Sequence, residues 1–179
     1  MKSQIHWRIK PGLRISRVLV RQLVRNIWRA GSRFGLWADK RHTLALHIVD
    51  DHEIAQLNAR CLGKRGPTDV LSFPTTSWEL RTTMASFVGP PICMGDVVLS
   101  WQAVMRQARS IGEEGQLHEA TVLCIHGLVH LLGHDHGKHR EARVMHRCEL
   151  RALASVRMPD IPRPYGLHPV RQINALLKV

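Results

Sequence analysis

Three histidines in the C-terminal half of the chain have the spacing of a metal site. The string reads His126-Gly-Leu-Val-His130-Leu-Leu-Gly-His-Asp-His136. His126 and His130 are four residues apart, which on a helix puts both imidazoles on one face. Gly133 lets the chain turn, and His136 follows six residues past His130. Two imidazoles one turn apart, plus a third brought back by a glycine turn, make three ligands of a tetrahedral zinc, one ion per chain. The fourth position stays open for water, as in catalytic sites. On spacing alone His134 competes with His136 for the third place. A lone histidine on a helix is more often a surface or packing residue, so His118, His139 and His146 are expected to be exposed. One absence bears on the chemistry. A zinc peptidase places a glutamate directly after its first helical histidine as general base, and here that position is Gly127. Zinc still lowers the pKa of its water to about 7 and polarises a phosphoryl oxygen, roles that suit phosphodiester hydrolysis.

These ligands need a helix, and Leu117–Leu132 reads as one. It is apolar on most sides, so it is expected at the centre of the fold, with Gly133 as its stop. Other elements follow from periodicity and punctuation. Ile5–Ile9 reads as a strand, and Pro11 can start a first helix. Thr43–Val49 reads as a second strand. Asp50 or Asp51 caps a helix through Ile54 and Leu57 to about Cys61, with Gly63 ending it. Asp69–Phe73 and Met94–Ser100 read as strands around a Thr-, Ser-, Gly- and Pro-rich excursion at 75–92. Trp101–Ile111 and Glu141–Val156 read as helices, the last with Val144, Cys148 and Leu150/Leu153 inward. Strands come first and helices last. The expected fold is α+β, one small mixed sheet packed with about five helices and the metal site on a central helix. A single domain is expected over 1–156, with an extended tail at 157–179 that carries Pro159, Pro162, Pro164 and Pro169.

Composition narrows the partners. The 179 residues carry 26 Lys and Arg against 14 Asp and Glu, for a formal net charge of +12. Residues 1–41 hold 11 of the basic residues and a single acid, Asp39, so the body of the chain is nearly neutral. A basic end on a neutral body suits a polyanion such as RNA, DNA or an anionic membrane. The arginines at 14, 17, 21, 25, 29 and 33 alternate with apolar residues. A mitochondrial transit peptide has a similar pattern. The preceding strand and Pro11 favour instead the first helix of a folded domain, with its arginines facing water. The longest apolar run, Val122–Leu132, is too short to span a bilayer, so no membrane partner is expected. Four cysteines at 61, 93, 124 and 148 form no Cys-x-x-Cys. Cys124 and Cys148 read as small core residues, and all four as reduced thiols in a cytoplasmic setting.

Several blocks together resemble the YbeY-type endoribonucleases, the bacterial rRNA maturation factors. They are His126–His136; Leu57-Asn58 with Gly63-Lys64 and Pro67–Pro74; Gly95–Ser100; and Glu141 with Met145 and Glu149. The resemblance covers about residues 43–153 and is weaker over 5–40. It implies a small α+β metalloprotein with one zinc held by His126, His130 and His136. It also implies a single-strand-specific endoribonuclease that acts on the 16S rRNA precursor of the small ribosomal subunit and in ribosome quality control, with His126 a catalytic residue. The family often carries an aromatic-Arg pair before Gly-Lys, the arginine contacting phosphate; this chain has Cys61-Leu62. Arg60 or Arg65, with Lys64, is expected to take over that contact. Guanidinium pairs bidentately with phosphate oxygens and offsets the charge that develops during cleavage. Arg14, Arg21 and Arg25 are expected to bind the RNA backbone. The competing reading is a non-catalytic rRNA-binding assembly factor whose metal only secures the fold. A structural zinc usually has four protein ligands, however, and no fourth is evident.

Overall fold

The computed structural model describes residues 4–37, 42–75 and 92–157. Four strands form one mixed sheet: β1 (Ile5–Ile9), β2 (His42–Val49), β3 (Val70–Pro74) and β4 (Ile92–Ser100), in the order β1-β2-β4-β3. β1 and β4 run parallel to β2, and β3 returns antiparallel on β4. The described residues form five helices, α1 (Arg17–Arg33), α2 (Asp51–Leu62), α3 (Trp101–Gln107), α4 (Glu113–Leu131) and α5 (His139–Ser155). The fold is therefore α+β, as the order of elements indicated. The surface excursion expected at 75–92 lies, from residue 76 to 91, outside the described residues, as does the tail from residue 158.

Local chemistry sets the element ends. α1 starts at Arg17 rather than at Pro11, because the Ser16 hydroxyl accepts from the backbone of Val18 and Leu19. Pro11 and Gly12 make a turn instead. Of the two candidate caps for α2, Asp50 does the work: its Oδ1 accepts from the Glu53 N–H at 2.8 Å. Gly63, at φ 65°, closes that helix in the left-handed conformation that glycine takes without strain. α3 is shorter than its pattern suggested. It ends at Gln107, and residues 108–112 form a loop. α4 begins four residues earlier than expected, where Glu113 and Glu114 meet the positive end of the helix dipole.

The central strands are buried on both faces. Leu44, Leu46, Ile48, Val97 and Leu99 join Leu19, Leu23 and Ile27 of α1 and Leu123, Ile125 and Leu128 of α4 in the main core. On the other face Val49, Leu71 and Val98 meet Ile54 of α2 in a smaller cluster. Each fully buried Leu or Ile contributes roughly 1.5–3 kcal/mol relative to exposure. α4 packs against α1, α3, α5, β3 and β4, which explains why apolar residues surround it. α5 buries Ala142, Met145, Glu149, Ala152 and Leu153. That corrects the expected inner face in part, since Leu153 is buried as expected. Val144 and Leu150 are exposed and Cys148 is half-buried. The reading by hydrophobicity passed over Glu149, a carboxylate, and so rotated the helix. Among the described residues no helix is long and apolar enough to cross a membrane.

Candidate functional site

α4 presents His126 and His130 one turn apart, close to the C-terminal end of the helix. The next residue, Gly127, faces the sheet. A Cβ there would lie 2.9 Å from Ser72 Oγ and 3.1 Å from a Val97 methyl, and the Ser72 hydroxyl donates to the Gly127 carbonyl at 3.1 Å. β3 and β4 thus close onto the helix at the position where a peptidase carries its glutamate, and a side chain there would require Ser72 and Val97 to shift. The turn after Leu132 passes through Gly133, at φ 87°, and returns His136 to the pair.

The three imidazoles form one cluster. His126 and His130 have ring centroids 4.6 Å apart, and His136 lies 5.4 and 5.1 Å from them. One ring nitrogen from each lies within 4.8 Å of the others. The Nδ1 atoms of the helical pair are engaged. His126 Nδ1 lies 2.7 Å from Glu149 Oε1, and His130 Nδ1 lies 3.0 Å from the His134 carbonyl oxygen. Both partners are acceptors, which assigns the proton to each Nδ1 and a lone pair to each Nε2. Those two Nε2 atoms are 3.2 Å apart. Lone pairs facing at that distance repel unless a cation or proton lies between them. Tetrahedral ligands at about 2.0–2.1 Å from zinc stand about 3.3 Å apart, so the pair fits a metal ion. The hydrogen bonds fix tautomer and ring orientation, as outer partners of metal-bound histidines do.

Electrostatics agree with a ligand set. Burial, with His126 and His136 as neighbours, pushes the His130 pKa down to about 4, so its ring is neutral at neutral pH, as a ligand must be. Burial alone would raise the Glu149 carboxyl, but hydrogen bonds from His126 and His146 outweigh it and hold the group below the usual range. His134, the competitor for third ligand, serves through its carbonyl, while its ring nitrogen lies 3.5 Å from Cys148 Sγ. His146 is a correction: it is half-buried, with Nδ1 3.6 Å from Glu149 Oε2. His118 is also half-buried rather than exposed, whereas His139 is exposed.

The expected phosphate-contact residues lie on the surface. Arg60 is exposed in the last turn of α2, with Nη2 donating to Gln56 Oε1 at 3.3 Å. Lys64 and Arg65 are exposed in the following loop, which Asn58 ties to α2 through a 2.9 Å bond to the Gly66 carbonyl. Leu62 is 53% exposed, so it does not pack inward. No hydrogen bond or ion pair among the described residues joins Arg60, Lys64 or Arg65 to the imidazole cluster. Arg14, Arg21 and Arg25 are exposed on or just before α1. Sequence reasoning assigned no role to Glu149 or Ser72. The available signal for Glu149 was an acid three residues after His146, in register with Ala142 and Met145.

A helix-borne histidine pair, a third imidazole from the next turn and a carboxylate behind the first define an α+β protein with a site that can hold a metal ion. The chain belongs to the endoribonuclease YbeY family, whose description matches residues 12–157. Relatives named Endoribonuclease YbeY include one from Rhodopseudomonas palustris, 38% identical over 123 residues, 69% of this chain and 60% of that protein. Another, from Dichelobacter nodosus, is 37% identical over 68% of this chain and 73% of that protein. One from Thermobifida fusca is 40% identical over 70% and 81%. The chain thus spans less than two-thirds of the length of the Rhodopseudomonas relative. A solution structure from Thermotoga maritima aligns over 92% of this chain and 99% of that one, at 20% identity and a TM-score of 0.48.

Proposed function

We propose that this chain is a zinc-dependent endoribonuclease specific for single-stranded RNA, acting in the cytoplasm on the 16S rRNA precursor and in ribosome quality control. The observation that carries the reading is the pair of Nε2 lone pairs 3.2 Å apart, completed by His136, in a chain of the YbeY family. A zinc ion at these nitrogens supplies Lewis acidity toward a phosphoryl oxygen and an activated water. The protein's own residues do the rest. Glu149 and the His134 carbonyl hold the two helical imidazoles in the ligating tautomer. Arg60 or Arg65, with Lys64, binds the scissile phosphate and offsets its developing charge, a contact worth about 2–4 kcal/mol in the transition state. Arg14, Arg21 and Arg25 neutralise flanking phosphates, each adding about −0.7 to the log–log salt slope of single-strand binding.

The test compares zinc-loaded and metal-stripped protein on single- and double-stranded RNA, with His126→Ala as control. Cleavage of the single strand only, lost on stripping and in the variant, is the expected result. Metal-independent cleavage, or none in any state, sinks the proposal. Single alanines at Arg60, Lys64 and Arg65 then locate the phosphate contact. If all three cleave like the parent, the cation comes from elsewhere. The exposed Leu62 side chain, where the family often has arginine, favours a second reading: an rRNA-binding assembly factor without catalysis. Tight RNA binding without cleavage by the zinc-loaded protein would select it.

A further inference from the structure

The outer face of α5 carries a row of guanidinium groups that the metal site does not use. Arg140, Arg143, Arg147 and Arg151 recur at steps of three and four residues, so they stand in one row along the helix. All four are exposed, opposite the face that buries Ala142, Met145, Glu149 and Leu153. The two carboxylates of α5 are engaged elsewhere. Glu149 is buried against His126 and His146, and Glu141 pairs with Lys138 at 3.5 Å. Among the described residues no ion pair includes any of the four arginines. Such a row opposes helix stability, because like charges one turn apart repel and Arg140 in the first turn opposes the dipole. A partner that is anionic along its length offsets both effects.

The row also has a defined start. α5 begins just past the turn that carries His136. Arg140 borders a shallow depression together with Gly133, His134, Asp135, Glu141 and Val144. Arg140, four residues past His136, is the first of the row, and the arginines run from there along α5. α1, with its own exposed arginines, packs against α5. We infer that the Arg140–Arg151 row of α5 binds the phosphate backbone of single-stranded RNA where the strand leaves the metal centre. The inference rests on the RNA-substrate reading above. Guanidinium matches phosphate oxygens bidentately and stacks on unpaired bases. One-turn steps of about 5.4 Å present the groups in series. The apolar face of α5 is locked against α4, with Glu149 on His126, so the helix is not available for insertion into a lipid surface.

The test uses full-length zinc-loaded protein and a 2′-O-methyl single-stranded oligoribonucleotide, with affinity followed against salt concentration. The combined Arg143→Gln, Arg147→Gln, Arg151→Gln variant should bind about tenfold or more weakly, with a log–log slope shallower by about 2. The corresponding triple Arg→Lys variant should keep most of the slope, which separates lost charge from lost structure. Unchanged affinity and slope in the glutamine variant, while the parent binds RNA, overturn the α5 track and leave the RNA reading standing. A parent that binds no RNA overturns both. If the glutamine variant loses binding to an acidic peptide or to phosphatidylserine vesicles but not to RNA, the row serves another partner and the inference is wrong.

Discussion

At the scale of single residues, Glu149 decides how His126 presents itself. It is 4% exposed, and its carboxylate lies 2.7 Å from His126 Nδ1. Glu149→Gln removes the charge that makes the imidazole a stronger ligand. Metal affinity should fall about 10–100-fold, measured by competition with a chromogenic chelator, while the far-ultraviolet circular dichroism stays native. Affinity equal to the parent's would show that the contact is only packing. His130 sets a pH dependence. Its native pKa of about 4 lies below the ordinary value of about 6.5 that an unfolded chain has. The unfolded state takes up the proton first, so the metal-free native state loses stability as pH falls from about 6.5 toward 4. Above that window the contribution is fully present. Thermal midpoints of the metal-stripped protein should drop between about pH 7 and pH 5, and His130→Ala should flatten that drop.

At the scale of elements, two junctions hold the layers around the site. β3 meets β4 at Pro74 and Gly95. Gly95 has φ 135°, and a Cβ there would clash with the Phe73 carbonyl oxygen. A backbone atom cannot rotate away, so Gly95→Ala should cost at least about 2 kcal/mol by denaturant unfolding. A cost near zero would show that the strand pair slides freely. The second junction ties α2 to α3. Asp51 accepts from Ser100 Oγ and from both terminal nitrogens of Arg106, and its own N–H donates to Gln102 Oε1. Arg106 foremost, with Ser100, holds the Asp51 carboxyl below its usual range. That stabilisation is present above the unfolded pKa of about 3.9 and is lost as pH falls through the lower native value. Asp51→Asn should cost about 1 kcal/mol at neutral pH, the charge term being discounted because Arg106 is more than half exposed. The gap from the parent should narrow by about pH 3, and a constant gap would assign the cost to the hydrogen bonds alone.

At the scale of the whole molecule, the site is the place where two chain segments 23 residues apart meet across the same core. The core around it is continuous and mostly apolar, so the fold does not depend on an ion in the way a zinc finger does. Metal-stripped protein should therefore remain folded. Zinc at about a thousand times its dissociation constant should add about 4 kcal/mol of stability, seen as a higher thermal midpoint that a chelator reverses. Unfolding on stripping would instead identify a structural ion and support the non-catalytic reading. Charge is organised on the same scale. Exposed arginines recur along α1 and along α5, two helices that pack together.

What the sequence determined was local. The four-residue step from His126 to His130, the turn at Gly133, the strands of alternating or continuous apolar residues and the stop at Gly63 all depend on neighbours within a turn or two. Their physics is carried by contiguous residues. The identity of the family was legible for the same reason, since its motifs are short and contiguous. Tertiary structure decided what no periodicity encodes. It chose His136 over His134 by turning the His134 ring toward Cys148. It buried Glu149 because two imidazoles await it, and so rotated α5 until Val144 and Leu150 faced water. It gave Gly127 its reason, since Ser72 and Val97 crowd the position a Cβ would take. Each of these outcomes depends on contacts between residues far apart in the chain, and such contacts exist only once the helices and the sheet have packed.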